Sequence, residues 1–173
     1  HHPELTPLGS CKLCIVEYQG EIVSSCTLKA EEGMEIITES EKINNRRRMA
    51  MELILAAHPE DCSTCPKYGN CELQTLIQYM GVTAEGRRHR KKDFSLNEEN
   101  PLIDHDLFRC VLCGRCVRVC QQVRGVQVLD SQRKGDEVYA GIALGSLLRD
   151  HAWKFCTACA EVCPTGAILD LDL

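Results

Sequence analysis

Aromatic residues are scarce: one Trp, three Phe and four Tyr make up 5% of 173 residues. Small domains with so little aromatic core need covalent or metal staples to hold a fold. No apolar run approaches the ~20 residues of a bilayer-crossing helix, which excludes that class of membrane protein. No secretory leader opens the sequence, so the expected compartment is the cytoplasm. Excess basic charge is also missing. The formal net charge is −5, which disfavours a general nucleic-acid role, since such binding rests on neutralised phosphates. Two local basic patches, Arg46-Arg47-Arg48 and Arg87-Arg88-His89-Arg90-Lys91-Lys92, read as solvated surface. The second has an alternative reading as a dock for an acidic partner or part of a subunit interface. No Ser–His–Asp pattern, nucleotide-binding glycine loop or P-loop is present.

What the chain has in abundance is cysteine, 13 residues in all. The odd count and close spacing argue against a disulfide framework and for thiolates converging on metal centres. Paired Cys-x2-Cys motifs also bind zinc. A run of Cys110-x2-Cys113-x2-Cys116-x3-Cys120 is better matched to cubane iron–sulfur clusters. A second, imperfect run follows as Trp153, Cys156, Cys159 and Cys163, with Pro164 directly after. In bacterial ferredoxins the fourth cysteine of each run ligates the other run's cluster. On that scheme Cys110, Cys113, Cys116 and Cys163 hold one [4Fe–4S] cluster. Gly114 relieves crowding where backbone nears cluster sulfur. Cys120, Cys156 and Cys159 hold the second cluster, whose fourth position is Trp153. An indole cannot replace a thiolate. A [3Fe–4S] cluster, a [4Fe–4S] cluster completed by His151 or water, and an empty site all stay open, a bound cluster being favoured. His151 is otherwise a surface histidine.

Two further sets precede these. His58-x3-Cys62-x2-Cys65-x5-Cys71 places a histidine directly before three tightly spaced cysteines. A lone histidine is usually structural; here the spacing favours a ligand. A neutral imidazole in place of a thiolate removes one negative charge and is expected to raise the cluster potential. Cys11-x2-Cys14-x11-Cys26 suits three of four ligands to a [2Fe–2S] cluster, with zinc as the weaker rival. These sets use every cysteine and leave none as a nucleophile.

Local patterns divide the chain into an α+β arrangement. Leu13–Tyr18 and Glu21–Cys26 flank Gln19-Gly20 as a hairpin, with another strand over Glu35–Thr38. Helices are expected over Arg46–Ala57, capped by Asn44 or Asn45 and stopped by Pro59, and over Cys71–Met80, ended by Gly81. Residues 86–106 read as a charged connector, and Val138–Leu148 as containing a short helix.

In combination the motifs resemble the N-terminal iron–sulfur region of the large peripheral subunit of complex I. That region also opens many [FeFe]-hydrogenases and NAD-linked formate dehydrogenases, and forms the small diaphorase subunit of some NAD-reducing hydrogenases. The carrying stretches are Gly9–Glu17, Ser25-Cys26, Glu32-Gly33-Met34, His58–Cys62, Asn70–Gln74, Arg109–Cys116 and Val162–Ala167. The resemblance implies three domains. A [2Fe–2S] ferredoxin-like β-grasp remnant covers 1–42. A small helical domain, with one histidine and three cysteines around a [4Fe–4S] cluster, covers 43–92. A bacterial 2[4Fe–4S] ferredoxin-like domain covers 93–173. The family's first [2Fe–2S] cysteine lies just upstream of His1, so the chain is expected to begin after its first ligand. Family members in complex I often keep only the first of the two cubanes. The implied role is a non-catalytic electron relay between a flavin-bearing, NAD(P)H-linked subunit and a second redox or catalytic subunit, within a hetero-oligomer. Rival readings are the N-terminal piece of a hydrogenase or formate dehydrogenase catalytic subunit, and a cluster-based redox sensor.

Overall fold

The computed structural model describes residues 1–83, 102–135, 137–142 and 156–172. Its first unit is built on the hairpin β1 (Ile15–Tyr18) and β2 (Glu21–Ser24), which pair antiparallel from Ile15↔Ser24 to Tyr18↔Glu21. Gln19 and Gly20 both have positive φ, +52° and +81°, the condition for a turn whose twist matches its strands. The third strand is shorter than its pattern promises. Only Ile36–Ile37 (β3) pairs, and it lies on the other flank of β1.

Helix α1 spans Glu41–Leu55, and its cap is Ser40 rather than Asn44 or Asn45. The Ser40 hydroxyl accepts from the Ile43 amide at 3.2 Å. Asn44 already stands in the helical ladder, donating to the Ser40 carbonyl at 2.9 Å. Ser40→Ala is therefore expected to cost about 1 kcal/mol, read as a lower denaturant midpoint at unchanged slope. The helix buries Ile43, Met51 and Leu55 and leaves Met49 and Leu53 exposed.

Helix α2, Glu72–Met80, follows its predicted stripe. Leu73 is buried beside Met51, Leu55 and Val82, with Leu76, Ile77 and Met80 packed around them. Gly81 closes the helix in the left-handed region at φ +58°, the conformation glycine adopts at least cost. The second basic patch, residues 87–92, and most of the 86–106 connector lie outside the described residues.

In the C-terminal part, β4 (Ile103–His105) pairs antiparallel with β7 (Ile168–Asp170), bringing the two ends of the region together. Between them, α3 (Arg115–Arg118) runs into a π-helical turn over Val119–Val123, and α4 (Ala158–Glu161) packs against both. A second hairpin joins β5 (Leu129–Lys134) to β6 (Glu137–Ile142). Of the stretch Val138–Leu148, expected to contain a short helix, residues 138–142 are strand and 143–148 lie outside the described residues. The β-formers Val138 and Tyr139 pair with Arg133 and Gln132, and Ala140 and Ile142 are buried against Val128 and Leu129. Residue types that fit a half-buried pleated surface agree with the strand.

Candidate iron–sulfur sites

The structure sorts the cysteines into four cavities, and no disulfide joins any of the thirteen. Among the described residues no three His, Cys, Asp or Glu side chains close to the spacing that holds a single ion. The sulfurs line open cavities instead.

Cys110, Cys113, Cys116 and Cys163 line one cavity. Cys110 is presented by a tight turn at Leu107–Arg109, whose start is capped by Asp106: Oδ1 accepts from the Phe108 amide at 2.9 Å. Leu112 takes a positive φ of +56° and Gly114 one of +67°, so the backbone curls around the sulfurs. The Leu112 amide points to Cys110 Sγ at 3.4 Å. Strain at a non-glycine residue of this kind is characteristic of ligand-binding loops. Burial pushes the Cys113 and Cys116 thiols up, and thiolate charge on the other members of the set adds to the effect. Sulfurs that oppose one another's ionisation suit a cationic iron centre, which deprotonates its thiol ligands outright. His105 lines the same cavity, and burial holds its imidazole neutral with a pKa of about 4. Its Nε2 is buried without a hydrogen-bond partner, a polar atom that cluster sulfide would satisfy. These features fit a cubane.

Cys120, Cys156 and Cys159 meet around a second, tighter cavity with Ile103, Val119 and Val128 in its wall. Burial raises the Cys159 thiol to about 12. Trp153 and His151, on which the fourth position turns, lie outside the described residues.

His58, Cys62, Cys65 and Cys71 line a cavity of about 380 Å³ between α1, α2 and the C-terminal motif. His58 Nδ1 lies 2.9 Å from the Pro59 carbonyl oxygen. A carbonyl only accepts, so Nδ1 carries the proton and Nε2 carries the lone pair. This is the arrangement that orients metal-binding histidines. Cys71 stands at the N-cap position of α2, where helix amides favour an anionic cluster. Arg109, whose Nε is buried without a hydrogen-bond partner, lines the same cavity. The donor set and these groups fit a [4Fe–4S] cluster.

Cys11, Cys14 and Cys26 line a groove of about 740 Å³ that extends over α1 to Arg115 and Pro164. Lys12 sits at φ +56° inside the Cys11–Cys14 loop, as Leu112 does inside its own. Cys26 lies in a turn over Ser25–Thr27, tied back by the Ser25 amide to the Cys14 carbonyl at 3.0 Å. Burial raises the Cys26 thiol, and Cys14 adds to the rise. At Cys14 burial also raises, but hydrogen bonding from Cys26 and Ser25 outweighs it and the thiol is lowered.

Sequence reasoning missed the groups that join these sites. The Pro164 carbonyl accepts from the Glu72 amide at 3.0 Å and lies 3.6 Å from Cys71 Sγ. Thr165, only 1% exposed, donates its hydroxyl to the Arg109 carbonyl at 2.8 Å. Arg115 and Glu72 form a bidentate ion pair. These residues lie inside the motifs named above, but pairing across the chain leaves no local signal.

Fold and sites together define an iron–sulfur protein with ferredoxin-like parts. Residues 1–41 match a 2Fe-2S iron-sulfur cluster binding domain. Residues 47–85 match the NADH-ubiquinone oxidoreductase-G iron-sulfur binding region. Residues 100–169 match the ferredoxin-like domain of NADH-quinone oxidoreductase subunit 3. The chain belongs to the family that complex I and NAD(P)-linked hydrogenases share for this iron–sulfur region. It is 34% identical to the NADP-reducing hydrogenase subunit HndD of Solidesulfovibrio fructosivorans, over 94% of this chain and 28% of that protein. It is 35% identical to an NADH-quinone oxidoreductase subunit of Rhizobium meliloti (strain 1021), over 95% of this chain and 20% of that protein. The chain thus spans only 20% to 28% of these relatives' length. A crystal structure of NAD+-reducing [NiFe]-hydrogenase in the H2-reduced state superposes with a TM-score of 0.88 at 31% identity, covering 98% of this chain and 73% of that one.

Proposed function

We propose that the chain is an electron relay. It passes single electrons between a flavin-bearing, NAD(P)H-linked subunit and a second redox or catalytic subunit of a cytoplasmic hetero-oligomer. The observation that carries this reading is the division of the cysteines into four neighbouring cavities, two of them joined by the segment Cys163–Gly166. Such clusters supply one-electron oxidation and reduction when bound. The protein's part is to space them, exclude water and set their potentials.

The ligand set proposed for [2Fe–2S] includes Cys11, Cys14 and Cys26. His58, Cys62, Cys65 and Cys71 hold one [4Fe–4S] cluster, and Cys110, Cys113, Cys116 and Cys163 another. Cys120, Cys156 and Cys159 hold a further [4Fe–4S] or [3Fe–4S] cluster. The corresponding domains are 1–42, a [2Fe–2S] ferredoxin-like β-grasp unit; 43–92, a helical unit with the one-histidine, three-cysteine site; and 93–173, a bacterial 2[4Fe–4S] ferredoxin-like unit. Among the described residues no helix is long and apolar enough to cross a membrane. A second reading has the chain as the opening part of a longer catalytic subunit; it is favoured by the 28% share of the hydrogenase subunit that the chain spans.

Anaerobic mixing of the assembled complex with NAD(P)H, followed by EPR, tests the relay. Clusters reduced within one turnover support it. Clusters that stay oxidised while the complex turns over contradict it. Ligation by His58 has its own test. His58→Cys exchanges a neutral ligand for an anion and is expected to lower that cluster's midpoint potential and change its spectrum. An unchanged potential and spectrum would exclude histidine as the ligand.

A further inference from the structure

Arg115 stands between Cys113 and Cys116 in the chain and is buried, with 8% exposure. Its guanidinium grips both oxygens of Glu72, with Nη1 donating to Oε1 at 2.5 Å and Nη2 to Oε2 at 2.8 Å. Nη2 also reaches the His1 carbonyl at 3.4 Å. Glu72 directly follows Cys71 and begins α2. Arg115 lines the cavity of Cys110, Cys113, Cys116 and Cys163, and both members of the pair line the groove of Cys11, Cys14 and Cys26. Two candidate cluster sites therefore meet at one ion pair, and Glu72 adjoins a ligand of a third in the chain.

The pair is electrically lopsided. The Arg115 side chain is 10% exposed and that of Glu72 is 56% exposed. Solvent screens the carboxylate more than the guanidinium, so the net field at the neighbouring sulfurs is positive. Reducing a cluster adds one electron and no other charge. A nearby buried cation favours the reduced form, and a nearby anion opposes it. A purely structural role predicts that removing either partner disturbs the site in the same sense, because each leaves the other charge unpaired. Two other cations face the groove, Lys12 and Arg118, the latter donating to the Gly114, Cys113 and Thr6 carbonyls.

We propose that the Arg115–Glu72 pair is a potential-setting junction. The Arg115 charge holds up the reduction potentials of the clusters in the Cys110 cavity and the Cys11 groove, and Glu72 moderates that effect. The inference rests on the cluster assignments proposed above.

The test is an EPR-monitored redox titration of the assembled complex carrying Arg115→Gln, Glu72→Gln, both together, or Arg115→Lys. Arg115→Gln should lower the midpoint potentials of the two adjoining clusters. Glu72→Gln should raise them. The double variant should return close to wild type, Arg115→Lys should stay near it, and the Cys120 cluster should move least. A merely structural pair predicts no opposition of sign, so shifts in one direction, or none at full iron content, overturn the proposal. If Arg115→Gln fails to assemble its clusters, the direction seen with Glu72→Gln, at the more exposed partner, decides. An upward shift supports the junction; a downward shift or none refutes it. Absence of both cluster signals from the wild-type complex would instead overturn the cluster assignments beneath it.

Discussion

Cys163→Ser should remove the cubane of the Cys110 cavity and loosen both halves of the molecule. Cys163 is the only member of its set that arrives from the C-terminal motif, and it lines the cavity with Cys110, Cys113 and Cys116. Its neighbours carry long-range ties. The Pro164 carbonyl receives the Glu72 amide, Thr165 donates to Arg109, and Ala167 accepts from the Asp106 amide at 2.8 Å. Structural zinc centres offer a scale: they contribute about 10–16 kcal/mol, as much as the whole net stability of a domain, about 5–15 kcal/mol. Losing even a third of such a contribution should lower the melting temperature by roughly 10 °C, at 2–4 °C per kcal/mol for chains of this size. Iron content should fall by about four atoms per chain. The Cys71 site should also weaken, because Pro164 touches it. Unchanged iron and melting would show that Cys163 is not a ligand.

Gly166→Val should damage the His58 cluster although Gly166 belongs to the motif of another. Here the backbone conformation is ordinary, and space is the constraint. A Cβ at this position would stand 3.0 Å from Cys65 Sγ and 3.3 Å from both Arg109 Cδ and Lys67 Cβ. One methyl forces these neighbours apart by a few tenths of an ångström. The branched valine side chain adds two more carbons in the same gap. Overpacking of this kind costs about 1–3 kcal/mol, and it falls directly on a proposed ligand sulfur. The expected result is selective loss or broadening of the His58-site EPR signal, with the Cys110-site signal kept. Gly166→Ala should give a milder form of the same change. Equal loss of both signals would instead place the glycine's role in the fold of its own motif.

Cys163 is visible in the sequence as a ligand, whereas the crowding at Gly166 is not, and the difference is one of range. The β1–β2 hairpin and α2 are legible because their signals are local: a Gln19-Gly20 turn with two positive φ values, and a stripe ended by Gly81. The grouping of cysteines is legible for the same reason, since each set is largely a short-range spacing. Ser40 is hard to single out as a cap because Asn44 and Asn45 are equally good capping types, and the helix simply starts a turn earlier. Residues 138–142 form their strand by pairing with residues 129–133, and that partner lies outside the stretch Val138–Leu148 itself. The junction of the sites is least legible of all. Arg115 and Glu72 are 43 residues apart, and Cys71 and Pro164 are 93 apart. No window of sequence contains either contact.

The electron relay stands or falls on separate ligand sets binding separate iron–sulfur clusters. Anaerobic purification of the complex tests this directly, with iron, zinc and acid-labile sulfide assayed beside Mössbauer and EPR spectra. The expected result is iron and sulfide near parity, a [2Fe–2S] signature, at least two distinct cubane signals and no stoichiometric zinc. Zinc in place of iron, with no labile sulfide, would overturn the relay.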